Sequence, residues 1–91
     1  MRYSLVFAPR AIDDLEKIKK SGNKAKLKKL RAVLEELQEH PRTGIGNPEQ
    51  LKYRVNTYSR RISNKDRIVY SIYDDLVVVN ILQMTGHYDD K

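Results

Sequence analysis

Leucines at positions 27, 30, 34 and 37 recur at spacings of three, four and three, and the pattern stops at Pro41. Such spacing lines one face of an α-helix. A proline disfavours helical geometry in the residue before it, so this helix is expected to end at His40. From Leu51 onward the period becomes strand-like, in the runs "LKYRV", "YSRRIS", "RIVYSIY" and "LVVVNILQM". The breaks "NKD" and "DD" read as turns. Between the two regimes, "RTGIGNPEQ" (residues 42–50) carries two glycines and a proline and reads as a loop. One change of period therefore confines the chain to helices first and a sheet after.

The segment before the leucines fits the same plan. "YSLVF" (residues 3–7) is rich in strand formers, and Pro9 is well placed for a first helical turn. Ala11, Leu15 and Ile18 then share one helical face. Asp13, Asp14 and Glu16 come early, where the helix dipole favours acids. "SGN" (residues 21–23) breaks this helix, and the two helices form a hairpin. The expected fold class is α+β, an N-terminal strand and a two-helix hairpin packed on an antiparallel β-sheet. A chain of 91 residues supplies one domain, residues 1–91, with a modest stability margin.

The turn at "NKD" has a consequence for chemistry. A three-residue connection sets Ser63 opposite Arg67, Ile62 opposite Ile68 and Arg61 opposite Val69. Alternation then puts Arg60, Ile62, Ile68 and Tyr70 on one face, and Arg61, Ser63 and Arg67 on the other. Two arginines converge on the face away from the isoleucines. Arg60 sits on the apolar face, where it must reach the rim or pair with an acid.

Charge narrows the partners. The net charge is +6, and residues 17–31 hold eight basic residues and no acid. Residues 42–67 hold seven more against Glu49 and Asp66. This imbalance favours a polyanion, because neutralising phosphates releases condensed counterions. The chain has no cysteine, which removes thiol catalysis, disulfides and thiolate metal sites, and suits a reducing cytoplasm. The apolar run in "MRYSLVFAPR" is too short for a signal peptide or a membrane span, so no membrane partner is expected. Two histidines 47 positions apart lack metal-ligand spacing, and "GIGNPE" matches no phosphate-loop motif. Neither metal nor cofactor is expected. What remains is acid–base chemistry on a polyanion by Glu49, His87, Tyr88 and the strand arginines. RNA suits that set, since a base can free its 2′-hydroxyl to attack the adjacent phosphate while an acid protonates the leaving oxygen.

"NPEQLKY", "YSRRISNKDRIVYSIYDD" and the terminal "GHY", in that order, resemble the YoeB branch of the RelE-like toxins, and the likeness spans essentially the whole chain. These are ribosome-dependent mRNA endoribonucleases of type II toxin–antitoxin modules. The resemblance implies that Glu49 is the general base and His87 the general acid, an assignment that could be exchanged. It implies that Arg67, with Arg61 and Lys52, holds the scissile phosphate, and that Tyr88 orients the phosphate or stacks on a base. Its implied partners are mRNA on the ribosome, ribosomal RNA along the basic surface, and a cognate antitoxin covering the Arg61/Arg67 face or displacing the C-terminal tail. A homodimer is left open.

Three features depart from the family pattern. "KDR" replaces the usual "EHR", so Asp66 stands beside Arg67, either neutralising it or forming the turn; the turn is favoured. Tyr58 stands where Trp is common, and Asp89, Asp90 and Lys91 follow the tyrosine that often ends the chain. Two other functions remain in contention. One is a relative that poisons DNA gyrase, a branch that generally lacks the acid–base set. The other is a non-catalytic RNA- or ribosome-binding domain.

Overall fold

Alternation in "SLVF" produces strand β1 (Ser4–Phe7), and Pro9 opens helix α1 (Pro9–Lys20) from an extended Ala8. Asn23 caps helix α2 (Lys24–Leu37), its side-chain oxygen accepting from the Lys26 amide at 3.0 Å. Strands β2 (Glu49–Gln50), β3 (Thr57–Arg61), β4 (Arg67–Tyr73) and β5 (Val78–Gln83) follow. The computed structural model describes residues 2–86, so His87, Tyr88, Asp89, Asp90 and Lys91 lie outside the described residues.

The strands form one sheet in the order β1-β5-β4-β3-β2. β2 through β5 pair antiparallel, as expected, but β1 runs parallel to β5, so the sheet is mixed. A parallel pair needs a long crossover, and the helices and inner strands between β1 and β5 provide it. Ala11, Ile18, Leu30, Val33 and Leu37 pack on Ile62, Ile68, Tyr70, Ile72, Val79, Ile81 and Met84. Leu15, Leu27 and Leu34 flank this core, half-buried.

Three further sequence expectations change. Helix α2 ends at Leu37 rather than His40; the chain tightens there, with the Gln38 amide bonded to the Glu35 carbonyl at 3.3 Å and the Glu39 amide to the Glu36 carbonyl at 3.0 Å. "LKYRV" is a turn and not a strand. Only Leu51 in it is buried, its amide donates to Thr57 across the turn at 2.8 Å, and Asn56 takes φ 50°, which ends extended geometry. The β3–β4 register is also shifted by two residues: Arg61 faces Arg67, Arg60 faces Ile68 and Ser59 faces Val69. Residues 62–66 form the connection, closed by the Ile62 amide on the Asp66 carbonyl at 3.0 Å and by Ser63–Asp66 side-chain bonds. The shift is even, so the faces of Arg60, Arg61, Arg67, Ile68 and Tyr70 stand, while Ser63 leaves the strand for the connection.

Candidate functional site

Arg60 resolves its own awkward position. It is fully buried on the helix side, where Nη1 reaches Glu36 Oε1 of α2 at 2.9 Å. Nε donates to the Tyr70 hydroxyl at 3.0 Å, and the guanidinium also donates to the carbonyls of His40, Thr43 and Ile45. Tyr70 in turn donates to the Pro41 carbonyl at 2.8 Å and stacks on Tyr58, 6.1 Å between centroids. The Trp-to-Tyr departure at position 58 is therefore absorbed in packing. A single arginine thus gathers the carbonyls of the loop between α2 and β2 and fixes its path. Gly44, at φ 132°, is required there: a Cβ would fall 1.1 Å from Glu36 Oε1.

That loop delivers Glu49 to the opposite face. The Arg61 amide donates to the Gly46 carbonyl at 2.6 Å, and a Cβ on Gly46 would meet Arg61 O at 2.8 Å. This close approach brings Asn47 and Glu49 against Arg67. Glu49 pairs opposite Ser59 at the β2 edge and is exposed. Its Oε1 lies 3.9 Å from Arg67 Nη2 and accepts from Asn47 Nδ2 at 3.2 Å. Arg67 is only 8% exposed. Its Nε donates to Ser59 Oγ at 2.9 Å, and Nη2 donates to the carbonyls of Asn47 (3.1 Å) and Ser59 (3.3 Å). The guanidinium is therefore locked, with Nη1 taking no hydrogen bond among the described residues. A carboxylate that can take a proton and a rigid cation that can hold a phosphate oxygen stand side by side.

The other expected residues are placed as follows. Arg61 is exposed directly opposite Arg67, so the two do share a face, and Arg67 is screened by Glu49 and two carbonyls. Lys52 is exposed in the turn after β2. Arg61 also lines a cleft of about 480 Å³ with Lys26, Lys29 and Asn47, beside the pair but not lined by Glu49 or Arg67. His87 and Tyr88 lie outside the described residues.

Asp66 forms the turn and has two further partners. Its Oδ1 accepts from the Gly86 amide at 2.7 Å, and Oδ2 pairs with Lys26 Nζ. Burial opposes its ionisation, but the Gly86 amide, Lys26 and Ser63 outweigh that and hold the carboxyl below its usual range. Its carboxylate thus serves the turn, Lys26 and Gly86, and no ion pair joins it to Arg67 among the described residues. Lys26, from the basic run, is thus partly structural.

Sequence reasoning missed Ser59, Asn47 and Asp14. Ser59 and Asn47 carry no motif chemistry, and only the register and the loop path reveal them. By its sequence position Asp14 is a dipole acid, yet it is 2% exposed, and its Oδ2 accepts from the Met84 amide at 2.9 Å and the Thr85 amide at 3.3 Å. Its position between Ala11 and Ile18 on the apolar stripe was the available signal.

Comparison with known proteins places the chain in a family. Residues 7–88 match the family model described as YoeB-like toxin of bacterial type II toxin-antitoxin system. Toxin YoeB of Synechocystis sp. is 38% identical over 61 residues, 65% of this chain and 71% of that protein. The YoeB dimer structure from Staphylococcus aureus superposes with a TM-score of 0.82 at 30% identity, covering 97% of this chain and 100% of the other. A heterotetrameric YoeB-YefM toxin-antitoxin complex from the same organism gives 0.78 at 31% identity, over 97% and 100% of the two chains.

Proposed function

Because this chain belongs to the YoeB-like toxins of bacterial type II toxin–antitoxin systems, we propose that it is an endoribonuclease cleaving mRNA at the ribosomal A site. The observation that carries the reading is the Glu49–Arg67 pair: a carboxylate 3.9 Å from a locked guanidinium. Glu49 takes the proton of a 2′-hydroxyl, and the freed oxygen attacks the adjacent phosphorus. The bond to the 5′-oxygen breaks, His87 supplies that oxygen's proton, and a 2′,3′-cyclic phosphate remains. Arg67, with Arg61 and Lys52, holds the non-bridging oxygens as charge grows on them. Its bonds to Ser59 and Asn47 fix it before substrate arrives, so little reorganisation is needed. Tyr88 orients the phosphate or stacks on a base. The cleft lined by Lys26, Lys29 and Arg61 offers positive charge to the RNA backbone.

The same reading includes a cognate antitoxin that masks the exposed Arg61 and its neighbours, and a dimeric state like that of the Staphylococcus aureus relative. The test expresses wild type beside Glu49→Ala and His87→Ala, scoring growth and mapping mRNA ends. Growth arrest with new ends in wild type, and neither in the variants, supports the assignment. Double-strand DNA breaks with intact messages, or equal toxicity of all three, overturns it.

A further inference from the structure

The last described residues are held by two carboxylates from distant parts of the chain. Asp14, on α1, accepts from the Met84 and Thr85 amides, and Asp66, in the β3–β4 turn, accepts from the Gly86 amide. Both acids are nearly sequestered, with side chains 3% and 14% exposed, and each has a cation, Arg10 at 3.6 Å and Lys26. Three consecutive amides past the end of β5 have thus exchanged water for ionic acceptors. The Gly86 carbonyl is tied as well, accepting from the Arg67 amide at 3.0 Å. The next residue in the sequence is His87.

We propose that Asp14 and Asp66 are positioning residues: by clamping the Met84, Thr85 and Gly86 amides they fix the point from which His87 and Tyr88 leave, relative to Arg67. The proposal rests on the reading of the site as a ribonuclease. A strand end without further pairing frays, and a frayed end would spread the imidazole over many positions. Displacement of a reacting group by about 1 Å can cost 10²-fold in rate. Charged acceptors hold amides more strongly than neutral ones, and each acid here is anchored to a different element. Lys26 carries the link into α2, so helix hairpin, turn and strand end meet at one point. Asp66, a departure from the family's usual sequence before the arginine, thereby acquires a positive role.

The test uses the full chain as wild type, Asp14→Ala, Asp14→Asn and Asp66→Ala. Amide hydrogen exchange is read at residues 84–86, and single-turnover cleavage is followed on mRNA-programmed ribosomes. Wild type should protect all three amides. Asp66→Ala should expose Gly86, and Asp14→Ala should expose Met84 and Thr85. Each alanine variant, still folded, should cleave about 10–100-fold more slowly with ribosome affinity nearly unchanged. Asp14→Asn keeps one acceptor oxygen for both amides and should recover most of the rate. Folded alanine variants that cleave at the wild-type rate, or unprotected amides in wild type, overturn the clamp alone. A wild type that leaves messages intact overturns the ribonuclease reading, and the clamp's purpose with it.

Discussion

The backbone amide of Arg67 donates to the carbonyl of Gly86 at 3.0 Å. One hydrogen bond thus joins the arginine proposed to hold the phosphate to the peptide group that precedes His87. The side chain of the same arginine is fixed by Ser59 and Asn47 and lies beside Glu49. In the proposed assignment, Arg67 is the junction on which the acid, the base and the phosphate grip depend.

Arg67→Lys should test that junction. Lysine keeps the charge but cannot bond Ser59, Asn47 and a phosphate at once. The cleavage rate should fall by about 10²-fold, as for loss of a preorganised transition-state donor, beyond the about 1–3 kcal/mol of stability lost with the buried hydrogen bonds. A rate within threefold of wild type, measured under single turnover, counts against a positional role for the guanidinium.

Glu36→Ala should act through Arg60. It leaves a fully buried guanidinium with carbonyl partners and no counter-charge. The expected loss is about 3 kcal/mol, the low end for breaking a buried pair. Gly44→Ala should approach the same outcome, because its Cβ would displace the Glu36 carboxylate. Chemical denaturation measures both, and a loss in Glu36→Ala below about 1 kcal/mol would show that the carbonyls alone suffice.

Val77 holds φ 54° in the β4–β5 turn, a conformation that β-branched residues rarely adopt. Val77→Asn should stabilise the fold by about 0.5–1 kcal/mol and raise the melting midpoint by about 4 °C. A lower midpoint would mean that packing of the valine outweighs its backbone strain.

Asp66 sets a pH dependence. Its carboxyl is held below the usual range: burial raises it, but the Gly86 amide, Lys26 and Ser63 prevail. A depressed carboxyl contributes stability that is fully present above the unfolded value of about 3.9 and is lost as pH falls through the folded one. The stability difference between wild type and Asp66→Asn should therefore be constant at neutral pH and shrink below about pH 4. Asp74, also lowered, by Arg42 and Tyr3, cancels from that difference. A gap that persists unchanged into strong acid contradicts the assignment.

Much of this architecture was legible from residue pattern. The 3-4-3 leucines and the alternating strands defined the layers, and parity around the "NKD" turn placed Arg60 inward and Arg61 and Arg67 outward. The need of Arg60 for an acid was met by Glu36. What parity could not give was the exact register, because a shift of two residues preserves every face. The parallel β1–β5 pair was hidden because a short strand carries no mark of direction. The "LKYRV" turn looked extended because Tyr53 and Val55 are strand formers, yet both are exposed and nothing buries them. Elimination left Glu49 and the strand arginines as candidates, and family resemblance alone gave them separate roles, while the contacts of Asp14 and Asp66 to the end of β5 became visible only in the fold.

The most direct measurement is the single-turnover rate of mRNA cleavage on programmed ribosomes by wild type, Glu49→Gln and His87→Ala. Wild type should leave a 2′,3′-cyclic phosphate at the A-site codon, and each substitution should slow cleavage by about 10²–10⁴-fold while ribosome binding persists. Cleavage by Glu49→Gln at the wild-type rate would contradict the account at its centre.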